Sequence, residues 1–182
     1  MNRLFIALPV DKKIISHVFK KLSEKRSFSN FRWEKKENIH ITLKFLGDTE
    51  DKLIDDIDNR LKNISLNFNS FDLKLNKIGT FNRNGNPFIL WFNFYKNDSV
   101  ELLNKKIEEE LLNLGFDKEN RDYIPHVTLL RLKNEEDSET IKSYKDIKLE
   151  PIEYCVNELY LIKSTLTPKG SLYTKIKTYK LK

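Results

Sequence analysis

From Arg3 to Pro9 the apolar residues run almost unbroken, which predicts a buried strand. From Asp11 to Lys25 the period changes. Ile14, Ile15, Val18, Phe19 and Leu22 fall on one stripe of a helix, and His17 lies off it, on the solvated side. Phe31 to Trp33 and Ile39 to Leu46 are strand-like, with Gly47-Asp48 ending the second. Asp48 or Thr49 then caps a helix from Glu50 to about Asn63, which buries Leu53, Ile54, Ile57 and Leu61. Phe71, Leu73 and Leu75 alternate with polar residues, as in a half-buried strand. The turn chemistry of Asn82-Arg83-Asn84-Gly85-Asn86-Pro87 leads into an aromatic strand from Phe88 to Tyr95. Asp98 or Ser99 caps a helix from Val100 to Leu114, and Gly115 stands at its end. A further strand follows Pro125. Asn134 to Glu139 is acidic and leads to a short helix or loop. Tyr154 to Lys163 and Leu172 to Lys180 are the last strands, joined across Thr167-Pro168-Lys169-Gly170.

Strands and helices alternate, yet several strand pairs are close enough for hairpins. This favours an antiparallel α+β fold over a parallel α/β one. No stretch has the composition of a linker, so residues 1–182 read as a single bilobal domain. The order strand, helix, strand recurs, which predicts two similar lobes of antiparallel sheet with helices outside and a cleft between them.

With 39% hydrophobic and 33% charged residues in 182, the chain is that of a soluble globular domain. No apolar run approaches the ~20 residues of a membrane span. The apolar N-terminal stretch has no cleavage site before Asp11, so it is a strand rather than a signal peptide. One cysteine, Cys155, excludes an internal disulfide, suits the cytoplasm, and lies in an apolar strand as core. A monomer is the default, since no apolar helix face is left over. The net charge of +6 favours an anionic partner such as RNA or a nucleotide, although lysines scattered over helix surfaces give the same sum.

One short phrase changes this picture. His40-Ile41-Thr42-Leu43 recurs as His126-Val127-Thr128-Leu129, using two of the three histidines. Side chains two apart on a strand share a face, so each copy sets an imidazole beside a hydroxyl. Two such strands facing one another form a kit for acid–base chemistry on a phosphate. A neutral imidazole takes a proton, a charged one gives it, and the threonines donate hydrogen bonds to phosphate oxygens. No zinc, P-loop or dinucleotide-binding spacing is present, so neither a metal nor another cofactor is expected. Lys44, two beyond Thr42, has the parity to share the His40 face, where it either steers a phosphate or is simply solvated. Arg131 lies at an odd offset from His126 and reaches the cleft only if its strand ends or bulges. Phe5, Trp33 and Trp91 fit a core better than a base-stacking platform.

The residues around these copies extend the pattern. Phe31-Arg32-Trp33-Glu34 and Asn38 through Gly47 resemble the first signature of the two-histidine (2H) phosphoesterase superfamily, and Tyr123 through Arg131 resemble the second. Arg3 to Pro9, Gly79-Thr80-Phe81 with Leu90-Trp91, and Leu159 to Ser164 with Gly170 and Tyr173 are similar to its RNA 2′,3′-cyclic phosphodiesterase, or 2′-5′ RNA ligase, branch. The resemblance implies a bilobal α+β fold and metal-free opening of a 2′,3′-cyclic phosphate on an RNA end or nucleotide to a 2′-phosphomonoester. It further implies that His40 protonates the leaving 3′-oxygen, His126 activates water, and Thr42, Thr128 and Arg131 bind the phosphate. The symmetry of the two motifs leaves the acid and base assignment to the resemblance alone. A cyclic phosphate of ADP-ribose, a 2′-5′ oligoadenylate, or RNA binding without turnover are the competing readings.

Overall fold

The computed structural model describes residues 1–132, 137–168 and 170–182. Eight strands, β1 (Asn2–Pro9), β2 (His40–Thr49), β3 (Phe71–Arg83), β4 (Asn86–Phe94), β5 (His126–Arg131), β6 (Glu153–Val156), β7 (Glu158–Thr167) and β8 (Gly170–Lys180), form two antiparallel sheets. Their orders are β2-β1-β7-β8 and β5-β4-β3-β6. The helices are α1 (Lys12–Ser23), α2 (Ile54–Leu66), α3 (Asp98–Leu112) and the short α4 (Ser138–Lys142). The expected α+β fold with two antiparallel lobes is therefore present. Its chain path is less linear than the sequence pattern implies. The first lobe takes β1 and β2 from the start of the chain and β7 and β8 from its end, and the second lobe lies between them.

The repeat survives at the level of units. β1-α1-β2 and β4-α3-β5 each run strand, helix, strand, and each ends in a His-x-Thr strand at the edge of its sheet. The edges do not stay open. Cα atoms of β2 and β5 approach within 8 Å, so the two motifs meet where the sheets meet. One continuous cluster of buried residues joins the lobes, including Ile6, Ile41, Leu73, Phe92, Val127 and Leu161.

Helix α1 buries the stripe read from the sequence, and the Asp11 carboxylate accepts from the Lys13 amide at 2.6 Å to cap it. Helix α3 is capped one residue earlier than expected, by Asn97, whose side chain accepts from the Val100 amide at 3.1 Å. Three potential caps stand in a row there, and only Asn97 keeps the extended backbone that a cap requires.

Other expectations are corrected. Phe31 to Trp33 is not a strand: a 3-10 turn over Arg26–Asn30 precedes an irregular segment. The Trp33 indole there donates to the Phe28 carbonyl and stacks on the Phe28 ring. Gly47 does not end β2. Its left-handed backbone, φ +68°, sits at a register shift, and the strand continues to Thr49. A 3-10 turn over Asp51–Leu53 then leads into α2, which has no side-chain cap. Cys155 is exposed rather than core, because β6 turns Cys155 outward and Val156 inward. His17 is half-buried and accepts from the Glu150 amide. Residues 134–136 of the acidic stretch and Lys169 of the last turn lie outside the described residues; Ser138–Lys142 is the expected short helix.

Gly79 on β3 faces Trp91 on β4, and a Cβ there would overlap the outer carbons of the indole. Gly79→Ala is therefore expected to cost about 1–3 kcal/mol in urea unfolding as the ring is forced aside. An unchanged midpoint would contradict this packing.

Candidate active site

His40 and Thr42 from the first lobe, and His126 and Thr128 from the second, line one cleft with Glu34, Asn38, Phe45, Arg131 and Tyr173. All four residues of the paired motif are half-buried. Ile41, Leu43, Val127 and Leu129 point the other way, into the core.

The two imidazoles are held alike. His40 Nδ1 lies 2.6 Å from the Asn38 carbonyl oxygen, and His126 Nδ1 lies 2.7 Å from that of Ile124. A carbonyl only accepts, so each Nδ1 carries the proton and each neutral ring presents Nε2 as its basic atom. In both motifs the carbonyl belongs to the residue two before the histidine, so the strand entry itself sets the tautomer. His40 Nε2 is 3.1 Å from Thr42 Oγ1, which donates to it while the ring is neutral. In the other half Arg131 donates to Thr128 Oγ1 at 3.4 Å, leaving the Thr128 hydroxyl proton available to a ligand.

Aromatic walls fix the rings. Phe5 and Tyr173 pack on His40 at 4.8 and 5.3 Å between centroids. Phe81 and Trp91 pack on His126 at 4.7 and 6.5 Å.

Arg131 is on the cleft face despite its odd offset. The register runs from Leu90 opposite Leu130 to Trp91 opposite Thr128, so Leu129 is an extra residue, a β-bulge. Leu129 and Leu130 both turn inward, and Arg131 falls on the His126 side. The same break occurs in β2, where Ala7 faces Thr42 and Ile6 faces Lys44, leaving Leu43 extra. This overturns the expectation for Lys44. It is 5% exposed on the opposite side of the strand, with Nζ 2.6 Å from the Glu108 carboxylate, and it neither steers a phosphate nor meets solvent. Phe45 takes the cleft position instead. Phe45 stands five residues after His40, as Arg131 stands five after His126. Extending the repeat comparison to that offset would have found it. Asn38 stands two before His40, as Ile124 stands two before His126, whereas Glu34 and Tyr173 come from irregular or distant segments that no spacing rule links to the motifs.

Burial pushes the His40 imidazole below its ordinary 6.5; the Asn38 carbonyl opposes this, and the charges of Arg131 and His126 reinforce it. His126 is lowered for the same first reason, with Ile124 opposing and Arg131 reinforcing. Both rings are thus neutral at pH 7. Among the described residues, no group of three or more His, Cys, Asp or Glu side chains converges to hold a metal.

A family of LigT-like phosphoesterases matches residues 6–91 and 96–173. A relative from Methanocaldococcus jannaschii, named RNA 2′,3′-cyclic phosphodiesterase, is 35% identical over 181 residues, covering 97% of this chain and 99% of its own. One of the same name from Thermotoga maritima is 34% identical over 174 residues, 94% of this chain and 91% of that one. Escherichia coli LigT, solved with 3′-AMP, superposes with a TM-score of 0.79 at 22% identity, over 99% of this chain and 98% of its own. Thermus thermophilus TT0787 gives 0.80 at 21%, over 98% and 97%. The fold and paired motifs are those of a two-histidine phosphoesterase. This chain belongs to the LigT-like phosphoesterase family.

In an NMR titration both cleft histidines should show midpoints below 6.5, and Arg131→Gln should raise both. Wild-type midpoints at or above 6.5 would contradict the burial and charge described. Since the unfolded chain binds protons from about pH 6.5 downward while the folded rings resist them, stability should fall as pH drops below that value.

Proposed function

We propose that the chain is an RNA 2′,3′-cyclic phosphodiesterase in which His40 and His126 are the general acid and base. The observation that carries this reading is the matched pair of imidazoles, each with Nδ1 tied to a backbone carbonyl. The names of the M. jannaschii and T. maritima relatives support the substrate class.

A cyclic phosphodiester is a monoanion, and its arrival raises the proton affinity of a neutral imidazole nearby. One ring can then hold the proton that the leaving oxygen needs while the other stays neutral. The assignment follows the resemblance. His126 Nε2 takes a proton from water as that water attacks phosphorus. The bond to the 3′-oxygen breaks in line, and His40 Nε2 gives its proton to that oxygen. A 2′-phosphomonoester and a 3′-hydroxyl result, and the two histidines exchange protonation states. Thr42, Thr128 and Arg131 bind the non-bridging oxygens. Their donors stabilise the charge that grows there in the transition state, and Arg131 supplies a full positive charge. Phe45, 67% exposed at the cleft mouth, offers a ring on which a terminal base can stack. With the 5′-hydroxyl of a second RNA in place of water, the same forward steps form a 2′-5′ linkage: the 5′-oxygen bonds to phosphorus, His126 takes its proton, and the 3′-oxygen leaves with the proton from His40.

An oligonucleotide ending in a 2′,3′-cyclic phosphate is expected to yield a 2′-phosphate in the presence of EDTA. His40→Ala and His126→Ala should each lower kcat by ~10²–10⁴-fold. Product analysis by 31P NMR checks both points. A 3′-phosphate product, or activity surviving either substitution, would contradict the reading.

A further inference from the structure

The bulges that bring Phe45 and Arg131 into the cleft have a cost. An extra residue in a strand leaves its backbone groups outside the ladder, and a buried carbonyl needs a donor. Both bulge residues are buried, and each finds its donor outside its own sheet. The Leu129 carbonyl of β5 accepts from the Glu34 amide at 2.8 Å, on the segment between α1 and β2 of the first lobe. The Leu43 carbonyl of β2 accepts from Asn104 Nδ2 at 2.8 Å, on α3, which joins β4 to β5 and packs against β2. Each bulge is thus satisfied from the stretch of chain that leads into the other histidine.

Two further contacts bind the same stretch of β2 to the chain that connects β4 to β5. Tyr123, just before β5, donates its hydroxyl to the Thr42 carbonyl at 3.0 Å. Lys44 bonds Glu108 of α3 at 2.6 Å and the Asp117 carbonyl at 2.7 Å, with Lys44 and Glu108 almost wholly buried. Glu108 also accepts from the Glu119 amide at 3.3 Å. Thr42, Leu43 and Lys44 are consecutive, and every one is tied to the segment of chain that leads into His126.

We propose that Asn104, with the Lys44–Glu108 pair, is a positioning residue that acts through the β2 bulge to hold the His40 half of the site in register with the His126 half. Asn104 is not among the residues that line the cleft; it lies in an adjoining groove that meets the cleft at Thr42, Phe45 and His126, and its side-chain amide is spent on the Leu43 carbonyl. Its effect on turnover passes through backbone geometry. This inference rests on the two-histidine reading above and deepens it. A bond between lobes is needed because the acid and base stand on different sheets, and a shift of about 1 Å between such groups can cost ~10²-fold in rate.

The test is Asn104→Leu, which keeps the volume and removes the donor, beside wild type and a Lys44→Met/Glu108→Met double variant that removes the buried pair without stranding a charge. Urea unfolding establishes that each variant is folded. Turnover of a 2′,3′-cyclic-phosphate oligonucleotide is then measured alongside NMR titration of both cleft histidines. In Asn104→Leu, kcat should fall roughly 10- to 100-fold with KM within about threefold. The His40 midpoint should rise towards 6.5, because the ring loses burial as the halves part and the Arg131 and His126 charges recede from it. The double variant should move both readouts the same way, and it decides the matter if Asn104→Leu does not fold. Folded variants with wild-type kcat and an unmoved His40 midpoint would overturn the proposal, as would a loss confined to stability or to KM. If wild type itself does not turn over this substrate, the functional reading fails, while the His40 midpoint still judges the clasp.

Discussion

A regular strand can show a ligand only every second side chain, and this site needs more than that. The β-bulge at the leucine of each His-x-Thr-Leu phrase is the constraint on which the rest depends. One extra residue, Leu43 in β2 and Leu129 in β5, turns two successive side chains inward. The residue five beyond the histidine then joins the histidine and threonine on the cleft side. In the second half that residue is Arg131, which brings a positive charge beside Thr128. In the first it is Phe45, an exposed ring. The two halves share a backbone device and use it differently: one presents a positive charge, the other an apolar face.

The same device explains why the lobes cannot be independent. A bulged edge strand carries unsatisfied backbone groups, and edge strands in general invite unwanted pairing. Here the edges of the two sheets face each other, and Glu34 and Asn104 close the gaps from opposite sides. The Lys44–Glu108 pair lies in the same region. Buried ion pairs contribute little net stability, but removing one partner leaves a buried charge and costs about 3–5 kcal/mol. Such a pair disfavours any arrangement in which β2 parts from α3, the helix that leads towards His126.

Much of this was legible in the chain and some was not, for physical reasons. The stripe Ile14, Ile15, Val18, Phe19 and Leu22 is a local signal, and α1 forms where it lies. His40 with Thr42, and His126 with Thr128, needed only strand parity, and they share the cleft. Lys44 and Arg131 defeated parity because a bulge is set by the register of two strands, which neither strand states alone. Cys155 misled because an apolar neighbourhood does not reveal which side of an edge strand faces water. The closing of the first sheet by β7 and β8 was hidden by distance along the chain. Asn104 and Glu108 are polar positions on an otherwise amphipathic helix, and only the packed structure shows that they are buried.

The central claim is that the two imidazoles act as one unit across the cleft. The most direct measurement is kcat for His40→Ala/His126→Ala beside the two single variants on the same cyclic phosphate. Groups acting in one concerted proton relay are non-additive. The double variant should therefore be no more than severalfold slower than the slower single variant. Losses that multiply would mean that the histidines contribute independently, and the paired-motif account would be wrong.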